Sequence, residues 1–100
     1  MKKLEDLVKT IRDRKNGDSD KSYTSTLLSG GLSKCIDKME EEFDELKESL
    51  NDKSNIVHEA ADTIYHILVT LEAADIKFED VLKELEDRKK QSGIEEKNNR

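Results

Sequence analysis

LSKCIDKMEEEFDELKESL, residues 32–50, is the stretch that decides the fold. Its apolar residues Leu32, Ile36, Met39, Phe43, Leu46 and Leu50 step by 4, 3, 4, 3 and 4. A helix turns once in about 3.6 residues, so this spacing puts all six along one face. A strand, with its period of two, would scatter them over both faces. The stretch therefore predicts an amphipathic helix with a coiled-coil-like seam.

Working outward, the same stepping returns between about residues 55 and 74, at Val57, Ala61, Ile64, Leu68 and Leu71. The connector Asn51-Asp52-Lys53-Ser54 is short, and Asp52 or Ser54 is expected to cap the second helix. Short links favour antiparallel neighbours. Beyond Asp75-Ile76-Lys77 a last helix is expected from about Phe78 to Lys90, with Val81, Leu82 and Leu85 inward. On the other side, Gly30-Gly31 ends a short helical turn near residues 22–28, capped by Ser22 or Thr24. Asn16-Gly17-Asp18-Ser19-Asp20 reads as a loop. A first helix from about Leu4 to Arg14 carries Leu4, Leu7, Val8 and Ile11 on one face.

The expected fold is all-α, a helical domain over residues 1–90 followed by a polar tail, 91–100, of the same domain. Two seams are more than one small chain buries well. A four-helix core completed by dimerisation is expected. Sandwiches and barrels need frequent turn residues, yet this chain has four Gly and no Pro.

A formal net charge of −6 argues against nucleic acid as partner. It also means that a polyphosphate would be repelled unless metal ions intervene. Cys35 is the single cysteine, so neither an internal disulfide nor a zinc cluster is expected. No apolar run suits a signal peptide or a membrane span, and the cytoplasm is the expected location.

Two acidic couplets stand out, Glu42-x-x-Glu45 and Glu59-x-x-Asp62. Residues three apart share a helix face, so each couplet can aim two carboxylates at one point. Four converging carboxylates repel unless a cation lies between them, and Mg²⁺ is the hard cation suited to oxygen ligands and phosphate substrates. Spacing alone leaves the solvated face open as well. By angle, the couplets lie beside or away from the seams, and they can still converge if those faces meet another helix layer or a second subunit. His58 and His66 read as ligands, bases or packing residues, and Cys35 as a small packing residue. Arg88, Lys89, Lys90, Lys97 and Arg100 make the C-terminal end basic, either by solvation or as a phosphate clamp.

The residues in order are Ser22-Tyr23-Thr24, Gly31-Leu32, Lys34, Lys38, Glu41-Glu42-x-x-Glu45, Glu59-Ala60-Ala61-Asp62, Tyr65-His66 and Glu79-Asp80-Val81-Leu82. Arg88-x-x-Gln91-Ser92-Gly93-Ile94-Glu95-Glu96-Lys97 and Arg100 follow. This pattern resembles the phosphoribosyl-ATP pyrophosphohydrolases of histidine biosynthesis, within the MazG-like all-α nucleotide pyrophosphohydrolases. The couplets carry the wider likeness; the Ser-Tyr-Thr segment and the Gln-Ser-Gly tail carry the narrower one. Glu40 stands where that family usually has Gly, and Lys89-Lys90 replaces a more usual His-Gly.

The resemblance implies Mg²⁺-dependent hydrolysis of phosphoribosyl-ATP to phosphoribosyl-AMP and pyrophosphate by a homodimer. It implies Glu42, Glu45, Glu59 and Asp62 as metal ligands and catalytic residues, with Glu41 as spare ligand or base. Tyr23, Thr24, Lys38, Arg88, Lys97 and Arg100 are implied substrate contacts. A house-cleaning pyrophosphatase for free nucleoside triphosphates and a non-catalytic helical module are the alternatives.

Overall fold

The computed structural model describes residues 2–15 and 22–89. Five helices follow in order: α1 (Lys2–Arg14), α2 (Tyr23–Ser29), α3 (Leu32–Asp52), α4 (Ile56–Ala73) and α5 (Phe78–Lys89). The all-α expectation holds for the described residues. The 91–100 tail, with Lys97 and Arg100, lies outside them.

Local chemistry sets the boundaries. The Ser22 hydroxyl accepts from the Ser25 N–H at 2.9 Å and caps α2. Gly31, at φ 87°, turns the chain into α3 in a conformation that favours glycine. The next corner departs from expectation. Asp52 closes α3 instead of capping α4, and Asn55 takes the N-cap position without a side-chain cap bond. Lys53 and Asn55 are both left-handed there, which reverses the chain within three residues. The Ser49 hydroxyl donates to the Ser54 carbonyl and ties the corner down.

α4 is the hub, touched by α1, α2, α3 and α5. Its pairing with α3 is the most extensive in the molecule, and it does not use the two apolar seams. The Thr63 hydroxyl lies 3.2 Å from the Glu42 carbonyl and the Thr70 hydroxyl 3.2 Å from the Cys35 carbonyl. The later residue on α4 thus meets the earlier one on α3, so the helices are antiparallel. The meeting stripe on α3 is Cys35, Glu42 and Ser49, one heptad apart. Small and polar side chains let the two backbones approach. Each Thr hydroxyl is shared with its own helix, at 2.7 Å from the Glu59 and His66 carbonyls.

The apolar core lies at the other end of α4. Val8 and Ile11 of α1, Leu27 of α2, Cys35 of α3, Leu68 and Val69 of α4 and Phe78 of α5 are buried together. The α1 anchor is electrostatic as well. Arg12 meets Glu79 at 3.1 and 3.3 Å and Glu72 at 3.5 Å, and Lys15 pairs with Asp75. Leu85, expected inward, is half-exposed, because α5 packs through its first turns at Phe78, Val81 and Leu82.

Candidate metal centre between α3 and α4

The antiparallel register decides where the acids go. With Thr63 opposite Glu42, the first turns of α4 face the middle of α3. Glu42, Glu45 and Glu59 each bring one carboxylate oxygen within 4.8 Å of the others. His58, Glu59 and Asp62 form a second group on the same criterion. Glu59 belongs to both, so all four acids of the couplets form one continuous cluster. Glu59 also sits in the first turn of α4, where the helix dipole favours a negative charge.

Two carboxylate oxygens in the cluster are buried without a hydrogen-bond partner, Glu42 Oε2 and Glu59 Oε2. A buried charged oxygen left unpaired costs on the order of 1–3 kcal/mol or more. Burial pushes the Glu42 carboxyl above its ordinary range, and its side-chain hydrogen bond to Glu45 and repulsion from the Glu45 charge add to this. A cation between Glu42 and Glu45 would relieve this repulsion. A divalent cation with oxygen ligands fits this donor set.

The remaining candidate residues are placed differently. Glu41 is exposed and ion-paired with Lys38 at 3.1 Å, outside both convergent groups. Its hydrogen bond to Glu41, helped by the charges of Glu41 and Glu42, raises the Lys38 pKa. The Thr24 and Tyr65 hydroxyls share a hydrogen bond, and Tyr23 stacks on Tyr65 with ring centroids 6.3 Å apart. The Tyr23 phenol lies close enough to Lys38, Glu42 and Asp62 to feel all three, while burial raises its pKa most. Arg88 lies on α5, in an ion pair with Glu84. Lys97 and Arg100 fall outside the described residues.

The structure adds neighbours that spacing did not rank. His58 Nε2 stands 3.2 Å from Asp62 Oδ2, and His66 Nδ1 stands 2.8 Å from the Asp62 carbonyl. Both histidines are four residues from Asp62, one turn before and one after. That spacing was their only signal in the sequence.

With this geometry in view, comparison with known proteins is decisive. The family model described as phosphoribosyl-ATP pyrophosphohydrolase matches residues 4–89. The chain belongs to the phosphoribosyl-ATP pyrophosphohydrolase family. Among curated relatives, the phosphoribosyl-ATP pyrophosphatase of Ruegeria pomeroyi is 46% identical over 96 residues, covering 94% of this chain and 91% of the relative. That of Roseobacter denitrificans is also 46% identical, with 97% and 94% covered. The enzyme of Rhizobium etli is 40% identical, with 97% and 92% covered. The family match spans both couplets, so the cluster lies within the region matched to the phosphoribosyl-ATP pyrophosphohydrolases. No helix among the described residues is long and apolar enough to cross a membrane.

Proposed function

We propose that this chain hydrolyses phosphoribosyl-ATP to phosphoribosyl-AMP and pyrophosphate, the second step of histidine biosynthesis, with Mg²⁺ held by Glu42, Glu45, Glu59 and Asp62. The observation that carries the reading is the pair of buried, unpartnered oxygens of Glu42 and Glu59 inside a four-carboxylate cluster. Nothing in a solvated surface accounts for them.

Mg²⁺, when bound, screens the polyphosphate and stabilises the charge that develops on the leaving pyrophosphate. The chain supplies the rest. Glu42 and Glu59 are fixed by the Thr63 contacts that lock α3 to α4, so their carboxylates are positioned before substrate arrives. Glu45 is exposed at the rim of the cluster and is the ligand best placed to take a proton from an attacking solvent water. Glu41 stays in reserve as the base, at present neutralised by Lys38. Lys38 is then the cation that a substrate phosphate would draw from Glu41. Tyr23, Thr24, Arg88, Lys97 and Arg100 complete the substrate contacts. Removing residues from Gln91 onward should raise KM or abolish turnover while leaving helicity intact.

The working unit is a homodimer in the cytoplasm. Leu32, Ile36, Phe43 and Leu50 of α3 are 36–53% exposed, and Val57 and Ile64 of α4 are 84% and 50% exposed. Phe43, Leu46 and Leu50 also line an apolar depression of about 440 Å³ on this outer face. A second copy laid against these stripes completes a four-helix core.

Pyrophosphate release from phosphoribosyl-ATP, followed with Mg²⁺ and with chelator, tests the activity. Turnover only with Mg²⁺ is expected. Preference for free deoxynucleoside triphosphates would move the assignment to the house-cleaning enzymes.

A further inference from the structure

His66 has no part in the cluster as a ligand, yet its surroundings are more specific than packing requires. It is 5% exposed, on α4, one turn beyond Asp62. Its Nδ1 is 2.8 Å from the Asp62 carbonyl, which only accepts, so Nδ1 carries the hydrogen. In the neutral ring Nε2 is then a lone-pair acceptor. The group facing it is the Tyr23 hydroxyl at 3.3 Å, and burial keeps that phenol protonated. The direction follows: Tyr23 donates and His66 accepts.

Tyr23 is thereby held in three ways. Its ring lies nearly parallel to Tyr65, at an interplanar angle of 20°. Its edge meets His66 at 71°, with centroids 6.0 Å apart. Its hydroxyl is tied to His66, while the next residue, Thr24, is hydrogen-bonded to the Tyr65 hydroxyl. For all this anchoring Tyr23 remains 55% exposed. A tyrosine kept only for packing would turn its ring inward. The hydroxyl proton is already committed to His66, so it is not offered to a phosphate. What Tyr23 presents outward is a flat π face beside the carboxylates.

We propose that His66 is a positioning residue that holds the Tyr23 ring against Tyr65, so that the outer face of Tyr23 stacks the nucleobase of the nucleotide whose phosphates lie at the carboxylate cluster. The inference rests on the proposed nucleotide hydrolysis and assigns the base end of the same site. A π face tolerates any base, and the pairing of a fixed aromatic platform with a nearby charged centre matches a ligand that is planar at one end and anionic at the other.

Two measurements test it. The first is steady-state kinetics with phosphoribosyl-ATP at saturating Mg²⁺. Tyr23→Ala should raise KM about tenfold or more with kcat within about twofold, from the stacking contribution of one base. Tyr23→Phe keeps the face and loses the tether, and should raise KM about threefold, in line with one neutral hydrogen bond. His66→Asn loses the acceptor toward Tyr23 and should match Tyr23→Phe. His66→Gln can return an amide oxygen to the Nε2 position and should restore KM. The double variant Tyr23→Phe with His66→Asn should be no worse than either single change, because both break one contact.

The second is equilibrium binding of AMP and, separately, of pyrophosphate. Tyr23→Ala should weaken AMP and leave pyrophosphate unchanged. This arm needs no turnover, so it separates failure of the stacking site from failure of the proposed reaction. Unchanged KM and AMP binding in Tyr23→Ala and Tyr23→Phe would overturn the proposal, even if His66→Asn did not fold. So would equal weakening of AMP and pyrophosphate, or a loss confined to kcat in both His66 variants.

Discussion

The two long helices each have two faces, and the faces are used the wrong way round for a solitary bundle. The inner face between α3 and α4 carries Glu42, Ser49, Glu59, Thr63 and Thr70. The outer face carries Leu32, Ile36, Phe43 and Leu50, all at least 36% exposed. Hydrophobicity alone would have paired the apolar stripes within one chain. Here the polar stripes are paired instead, because their hydroxyls and carbonyls satisfy one another and bring the carboxylates together. The apolar stripes are thereby left exposed. On the proposed reading the inner face serves chemistry and the outer face assembly, so damage to each should read out differently.

The inner face should break catalysis hardest. Glu45→Gln and Asp62→Asn keep shape but weaken the ligand set, and turnover should fall by about two orders of magnitude or more, at least roughly 2.7 kcal/mol of transition-state stabilisation. Melting in chelator should hold or rise in the same variants, since one of four repelling charges is gone. Wild-type turnover in both would remove these residues from the site.

On the outer face the largest effect should be on assembly. Phe43→Lys places a charge in the middle of the expected contact. Sedimentation at micromolar concentration should shift from dimer to monomer, and the melting temperature should lose its dependence on protein concentration. A wild-type chain that sediments as a monomer would leave the outer stripe without this purpose.

Smaller effects sharpen the inner contact. Thr63→Val is close in shape and removes a hydroxyl shared between two helices. Destabilisation of about 1 kcal/mol is expected, with metal affinity lowered because the register of Glu42 against Glu59 loosens. A melting curve with and without Mg²⁺ checks both.

The smallest is a pH effect in chelator. The folded Glu42 carboxyl binds its proton more tightly than the unfolded one, chiefly through burial. Its contribution is therefore full below the ordinary carboxylate range and is lost as pH rises through the folded value. Glu42→Gln should flatten that part of the stability profile. An unchanged slope in the variant would mean that Glu42 is not the group responsible.

Much of this was legible in the chain. The 4-3 stepping from Leu32 to Leu50 marked α3, and Ser22 or Thr24 marked the start of α2, of which Ser22 is the cap, because helix period and capping are local. The couplets were legible as pairs for the same reason, since three residues apart is a property of one helix. The corner at Lys53 and Asn55 was misjudged because left-handed residues other than glycine leave little trace in composition. The partnership of His66 with Tyr23 spans 43 positions and had no local signal at all.

By itself, then, the sequence determined an all-α chain with two amphipathic helices and two acidic couplets, for these depend on spacing along a single helix. Only the tertiary structure decided which stripe of each helix faces the other. That choice turns on hydroxyl-to-carbonyl contacts between α3 and α4, at Thr63 with Glu42 and Thr70 with Cys35. Those contacts set the antiparallel register, and the register is what converts two separate couplets into one cluster with two buried, unpartnered oxygens.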